Sequence, residues 1–420
     1  MTRPNVLYIT VDSLRADHVG FEGYDRETTP TLDRLAERGT AFHRAYAAGI
    51  PTYFSFKSLL AGVPSLGHTR DIGVPTSATT LAEAFADAGY ETAGINAGNP
   101  WLTREYGYQR GFQAFRDFLT DEVDSDTTDR RLTSIVRRFQ PVAESNPLLE
   151  DVLGLAARMA FALTNRTPLE NAETVTDAAL EWYDDRADSD RPFFLWIHYM
   201  DPHFPWVPRE TDLGHFRDDR VSRLSVGSLW HKVAHRYKEV AGSGSLPPDV
   251  LSTIRDLYDA EVRRTDTAIE RVLDAVEARG DLEDTLVTVV GDHGTELQDH
   301  GGFSHGPRSL YEEVTRGPLV LAGPSIPRHE VTDVTSLDDL PATVLERTGV
   351  GAPLSEAFPS SSVFETGRSS AVTEVVYDVE PATGENADND VLVSCVDWPW
   401  KLVANRERET TALYHLEADP

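Results

Sequence analysis

The 420-residue chain is long enough for one large domain with a smaller one attached, and 69 acidic against 39 basic residues give a formal net charge of −30. That charge runs along the whole length, with lysine only at positions 57, 232, 238 and 401. It keeps a chain soluble through self-repulsion, is screened in concentrated salt, and makes nucleic acid or an anionic membrane a poor partner. It predicts a high-salt cytoplasm such as that of a haloarchaeon. The single cysteine, Cys395, excludes an intrachain disulfide and a cysteine metal cluster. No apolar run reaches the roughly 20 residues of a transmembrane helix; the nearest, Val152–Leu163, is broken by Arg158. The first strand starts near residue 5 without a leader-like segment, which predicts a cytoplasmic location.

Taken in chain order, apolar runs alternate with helical patterns. Strands are expected at Val6–Val11, Thr92–Ile95, Phe193–Ile197, Leu286–Val290 and Leu319–Ala322, and helices at Pro30–Arg38, Thr80–Ala88, Ala172–Arg186 and Leu251–Arg279. In the last of these, Leu251, Ile254, Leu257, Tyr258, Val262, Ile269, Val272, Leu273 and Val276 keep three-and-four spacing, and Gly280 stands where a C-cap belongs. Strand–helix alternation implies a mainly parallel sheet covered by helices on both faces. Residues 119–171 start acidic, turn helical and lack strand signals, which marks an insertion or cap. Residues 207–250 are polar and hold Gly242–Pro248, a Gly/Ser/Pro stretch expected to be a mobile loop. A helix at Leu337–Arg347 closes this part. Beyond Gly349, short strands at Val372–Tyr377, Val391–Val396, Lys401–Ala404 and Ala412–Leu416 suggest a small antiparallel sheet, with a polar loop at Glu380–Asp390. The expected division is a catalytic α/β domain over 1–348 and an antiparallel subdomain over 349–420.

The chemistry is concentrated where strands end. After Leu286–Val290 come Gly291-Asp292-His293-Gly294, then His300 and His305, and after Val6–Val11 comes Asp12. Carboxylates and imidazoles at the carboxyl ends of parallel strands are where open α/β sheets place their sites, and Asp with His is a common metal-ligand set. Alone, Asp12 reads as a turn or helix cap; the convergence of several such motifs points to a site. Asp17 and His18 read as outer contacts or surface groups. Pro51-Thr52 looks like a helix entry and Gly62 its end. A hydroxyl at a helix N-terminus meets unpaired N–H groups, an arrangement that favours a sulfuryl or phosphoryl anion. Bound to a metal, Thr52 is a potential nucleophile; taken alone it is an N-cap. Lys57 either steadies the transferring anion or lies at the surface. His203, between Pro202 and Phe204-Pro205, has the fixed position that a proton donor to a leaving oxygen requires. For His198, structural and functional roles stand even.

These residues resemble the sulfatase family of the alkaline phosphatase superfamily. The matching pieces are Asn5–Gly20, Ser58–Gly62, Asp201-Pro202-His203-Phe204-Pro205, Tyr258–Asp266, Asp284–Gly294, His305–Glu312, Trp400-Lys401-Leu402 and Tyr414–Pro420, in family order over almost the whole chain. The resemblance implies an alkaline-phosphatase-like α/β/α sandwich with a small C-terminal antiparallel sheet. It also implies Asp12, Asp292 and His293 as ligands of a divalent ion (Ca, Mg, Mn or Zn), with the nucleophile completing the shell. Several positions depart from the family pattern. Ser13 replaces a second acid. Thr52 stands where the family has a Cys or Ser that becomes formylglycine, and threonine cannot form that aldehyde. Phe56, with Lys57 adjacent, occupies the place of an arginine, His305 that of a lysine, and Asn96 with Asn99 that of a Lys–His pair.

The expected activity is metal-dependent hydrolysis of a small-molecule or glycan sulfate ester. Thr52 is the nucleophile, His203 the acid and His305 the anion holder, with Lys57, Asn96, Asn99 and His300 as substrate contacts. A threonine at this place is similar to haloarchaeal-type sulfatase-like hydrolases and to threonine-using phosphotransferases and phosphodiesterases of the superfamily. This leaves phosphodiester or phosphonate hydrolysis, or phosphotransfer, as the alternative. A weakly active glycan-binding member is the second.

Overall fold

A computed structural model describes residues 3–65, 72–119, 159, 169–237, 246–305, 310–351, 361–364, 368–376, 391–406 and 408–418. In chain order the strands are β1 (Asn5–Val11), β2 (Thr40–Tyr46), β3 (Glu91–Asn96), β4 (Ala114–Arg116), β5 (Phe193–Tyr199), β6 (Thr285–Gly291), β7 (Glu296–Leu297) and β8 (Phe303–Ser304). They continue with β9 (Arg316–Ala322), β10 (His329–Val331), β11 (Thr335–Ser336), β12 (Ala371–Val376), β13 (Val391–Asp397), β14 (Trp400–Asn405) and β15 (Thr410–His415). The principal helices are α1 (Pro30–Arg38), α2 (Thr52–Ala61), α3 (Leu81–Asp87), α4 (Ala172–Asp185), α5 (Arg223–Tyr237), α6 (Pro248–Arg279) and α7 (Leu340–Thr348).

The main sheet runs β10-β2-β9-β6-β1-β5-β3-β4, with β11 also pairing to β2. The run from β6 to β4 is parallel, and β9 is antiparallel to both β6 and β2. Central strands β1, β5 and β6 are buried almost throughout. That is why they read as continuous apolar runs rather than as alternations. Successive residues still point to opposite faces. Leu7, Ile9 and Val11 pack with Val175 and Ala179 of α4 and Ile254, Leu257 and Ile269 of α6. Val6 and Tyr8 pack with Leu59 and Leu60 of α2 and Leu81 and Phe85 of α3. The result is the α/β/α sandwich that the sequence implies.

Strands β12 to β15 form a separate antiparallel sheet in sequence order. It braces the chain just before α2. Thr373 Oγ1 donates to Ala47 O (2.7 Å), the Glu374 amide donates to Ala48 O, and the Ile50 amide donates to Glu374 O. Buried Lys401 donates to Glu312 Oε1 (2.7 Å) and Thr315 Oγ1 (2.9 Å).

Two expectations change. Within 207–250, read as polar and loop-like, residues 223–237 form α5, whose Val226, Leu229, Trp230 and Val233 are buried at helical spacing. Strand β2 was not expected. His43 and Arg44 are only partly buried, and its register shifts between Phe42 and Ala45, which blurs the period-two pattern. Most of 119–171, the stretch 242–245 and all of 380–390 lie outside the described residues. No helix among the described residues is long and apolar enough to cross a membrane.

Candidate active site

Register builds the site. Val11 is level with Tyr199 on β5 and Gly291 on β6, so the next residues, Asp12 and Asp292, leave the sheet side by side at its carboxyl edge. The Asp12 amide donates to Tyr199 O (2.9 Å), and the Asp292 amide donates to Val11 O (3.2 Å). Ser13 then takes a left-handed turn (φ 59°). That turn points its amide at Asp292 Oδ1 (3.3 Å) and its hydroxyl at Asp12 Oδ1 (2.7 Å). Tyr258 of α6 secures the same turn, since its hydroxyl donates to Ser13 O and accepts from the Arg15 amide.

Helix α2 brings in the hydroxyl. Pro51 is its extended N-cap residue and Thr52 its first helical one, and Gly62 (φ 62°) closes it as a left-handed cap. Thr52 does not cap the helix. Its Oγ1 donates to Asp12 Oδ2 (3.0 Å) and lies 3.2 Å from His293 Nε2. One turn on, Ser55 Oγ donates to Asp292 Oδ2 (3.2 Å). The His293 Nδ1–H donates to Gly294 O (2.8 Å), which leaves the Nε2 lone pair facing Thr52. Single atoms of Asp12, Asp292 and His293 lie within 4.8 Å of one another, all buried.

This donor set fits a divalent cation. Two carboxylates and an imidazole lone pair converge, while neighbouring cations are engaged elsewhere: Arg15 with Asp17 and Asp299, and Lys57 with Ser65 O. Burial, and then the charge of Asp12, push the Asp292 carboxyl well above its usual range. Burial opposes ionisation of Asp12 too, but the imidazoles of His203, His293, His305 and His198 outweigh it and hold that carboxyl low. Burial lowers His293, lowers His198 to about 4, and lowers His305 well below the usual imidazole value. A pair of buried acids of which one resists ionisation is an arrangement that a divalent ion relieves.

His203 and His305 complete the cluster. The His305 ring centroid lies 4.4 Å from that of His293 and 5.0 Å from that of His203. Because Ser13 gives its only proton to Asp12, it accepts from His305 Nδ1–H (3.3 Å). The His203 Nδ1–H donates to Phe204 O. The His203 loop is fixed from below by Asp201. That carboxylate accepts from the Ala172 amide (3.0 Å) and pairs with Arg264 (3.3 Å), which also meets Glu173 and Glu261.

Thus Thr52, Asp12, Asp292, His293, His203 and His305 come together. Lys57, Asn96, Asn99 and His300 are placed differently. Lys57 is buried and donates to Ser65 O (3.5 Å). The Asn96 amide serves its own loop, donating to Asn99 O and Leu102 O and accepting from the Asn99 amide. Asn99 accepts from the Trp101 amide and donates to Met200 Sδ. His300 stacks on Tyr311 (3.7 Å) and pairs with Glu313 (3.1 Å). Asp17 is an ion-pair partner of Arg15, and His18 is buried against Asp259. The hydroxyls of Ser13 and Ser55 are the contributors that sequence reasoning did not assign. Their signal was position alone, directly after Asp12 and one helical turn after Thr52.

The sulfatase family model matches residues 4–350. An arylsulfatase of Clostridium perfringens is 24% identical over 435 residues, spanning 100% of this chain and 89% of that protein. Among solved structures, a phosphonate monoester hydrolase of Agrobacterium radiobacter superposes with a TM-score of 0.72 at 21% identity, over 100% of this chain and 90% of that one. A protein in complex with its substrate D-glucosamine-2-N,6-O-disulfate gives 0.71 at 19% identity, over 100% and 92%. The likeness to the solved structures shows the fold, and the family match goes further: the chain belongs to the sulfatase family, within the alkaline phosphatase superfamily, and is by that membership an ester hydrolase.

Proposed function

We propose that this protein hydrolyses sulfuric esters of small molecules or glycans with Thr52 as nucleophile, in the manner expected of a haloarchaeal-type member with threonine at that position. One observation carries the reading. The Thr52 hydroxyl, at the N-terminus of α2, is turned away from helix capping and onto Asp12 and His293. A divalent ion held by Asp12, Asp292 and His293 would supply charge stabilisation for the attacking and nonbridging oxygens. Asp12 Oδ2 is placed to receive the Thr52 proton. Oγ1 then bonds to sulfur as the ester S–O bond breaks, and His203 gives a proton to the departing oxygen. Water then cleaves the threonine ester: its oxygen bonds to sulfur as the bond to Thr52 Oγ1 breaks, one of its protons goes to His203, and Asp12 returns the Thr52 proton to restore the hydroxyl. The N-terminus of α2, where Thr52 stands, is an end that favours an anion. With Lys57, Asn96, Asn99 and Ser55 engaged as described, His203 and His305 are the side chains left to contact the transferred group.

Phosphonate or phosphodiester hydrolysis is the second reading, favoured by a threonine where formylglycine cannot form and by the imidazole of His293 in the donor set. Matched nitrophenyl sulfate, phosphate, phosphodiester and phosphonate esters, assayed in molar salt with Mn, Mg, Ca and Zn, separate the two. Sulfate turnover that disappears in Thr52→Ala is the expected result. Phosphonate or diester turnover assigns the second reading. Activity surviving Thr52→Ala overturns the threonine mechanism, and silence with metal bound indicates a transferase or a glycan-binding protein.

A further inference from the structure

His198 lies in a strand with no exposed residue, level with Thr10 on β1 and Asn96 on β3. A histidine there must satisfy two ring nitrogens without water. The hydrogen bonds around it run in one direction. The indole N–H of Trp196 can only donate, and it donates to Thr10 Oγ1 (3.0 Å). The single proton of Thr10 then faces two acceptors, His198 Nδ1 at 3.0 Å and Ile197 O at 3.4 Å. We take Nδ1 as the acceptor, because the carboxylate of Asp12 lies beyond Nε2 and an N–H suits that side better than a lone pair, so the neutral ring is assigned its hydrogen on Nε2. That Nε2 has no hydrogen-bond partner among the described residues and is completely buried. It faces Asp12 Oδ2 at 3.9 Å, the same oxygen that accepts the Thr52 hydroxyl. Phe56, edge-on at 4.8 Å, and Trp196, stacked at 6.2 Å, wall the ring in.

We infer that His198 is a positioning residue whose Nε2–H holds Oδ2 of Asp12, so that the relay Trp196, Thr10, His198 fixes the carboxylate both as metal ligand and as acceptor of the Thr52 proton. The inference rests on the metal-dependent reading above. A movement of about 1 Å closes the 3.9 Å gap to an ordinary hydrogen bond. Ligating carboxylates are commonly held from the outer shell in this way. Direct ligation by His198 does not fit. Its Nε2 carries the proton, and it lies outside the group formed by Asp12, Asp292 and His293.

The test is titration of the full chain with Mn(II), followed by electron paramagnetic resonance, for wild type, His198→Ala, His198→Gln and Thr10→Val. His198→Ala is expected to weaken Mn(II) binding about 10–100-fold. His198→Gln, whose side-chain amide can donate from the same direction, recovers most of the loss. Thr10→Val keeps the shape of the site but releases the ring orientation, and weakens binding by an intermediate factor; it also reports if His198→Ala fails to fold. The nitrogen coupling of bound Mn(II) stays that of one imidazole in every variant. Wild-type affinity in His198→Ala, a Gln variant as weak as the Ala one, or loss of one bound nitrogen in the His198 variants each overturns the inference. Wild type that binds neither Mn(II) nor Ca(II) overturns the metal-dependent reading and this inference with it. Binding that is indifferent to His198 overturns this inference alone.

Discussion

Replacing Asp292 by asparagine should stabilise the metal-free protein and abolish its response to metal. Asp292 Oδ1 accepts both nearby backbone N–H groups, from Ser13 (3.3 Å) and His293 (2.8 Å), and Oδ2 accepts the Ser55 hydroxyl (3.2 Å). An asparagine keeps the Oδ1 bonds and turns its amide toward Ser55 Oγ, which can accept, so no hydrogen bond is lost. What disappears is a carboxyl that burial, and then the Asp12 charge, push well above its usual range. A group whose folded pKa is raised binds its proton more tightly in the folded state. Its stabilising contribution is complete below the unfolded value near 4 and is lost as pH rises toward the folded value. Without metal, Asp292→Asn should therefore melt above wild type at pH 8 and level with it near pH 4. Metal reverses the order. At one hundred times Kd, an ion stabilises wild type by about 2.7 kcal/mol, or roughly 3 °C at the ~1 °C per kcal/mol expected of a chain of 420 residues. The variant should move far less. Melting curves by scanning fluorimetry at both pH values, with chelator or with Mn(II), read this directly. A variant that melts below wild type without metal at both pH values, and keeps the full metal shift, refutes the reasoning.

Further outcomes follow from the same geometry. His203→Gln should lower kcat by about 10²–10⁴, with the greater loss for esters of poorer leaving groups; equal losses across a leaving-group series contradict its role as acid. Arg264→Met leaves Asp201, Glu173 and Glu261 without their shared cation and should cost about 3–5 kcal/mol in urea unfolding; a loss below about 1 kcal/mol contradicts a buried network. With a formal charge of −30, the melting temperature should rise as KCl goes from about 0.1 M to molar concentrations, and a flat or falling series contradicts the high-salt expectation.

Much of the fold was legible because the central strands obey one rule. Buried on both faces, β1, β5 and β6 show mainly apolar runs, β1 and β6 followed at once by Asp12 and Asp292 and β5 carrying His198 ahead of Asp201 and His203 at the sheet's carboxyl edge. The periodic helix α6 begins three residues earlier than Leu251 and ends at Arg279 as its pattern indicated. Helix α5 was overlooked because Arg223, Leu224 and Ser225 are exposed and mask the inward stripe at Val226, Leu229, Trp230 and Val233. At the site, Asp12, Thr52, Asp292 and His293 were legible from their places at strand and helix ends. The environment of Lys57 was not, because α2 is buried on every side except at Tyr53, and no periodic pattern told an inward lysine from an exposed one. Ser13 read only as the loss of an acid. Its left-handed turn, which ties Asp12 to His305, depends on the register of three strands distant in sequence.

The central claim is that Thr52 attacks the ester and carries the transferred group. Rapid acid quench during turnover of a nitrophenyl ester substrate, followed by peptide mass spectrometry, tests it most directly. The account predicts a sulfuryl or phosphoryl mass increment on the peptide that contains Thr52, localised to that residue and absent from Thr52→Ala. Turnover with an unmodified Thr52 peptide at every quench time, or the increment on another residue, would contradict it.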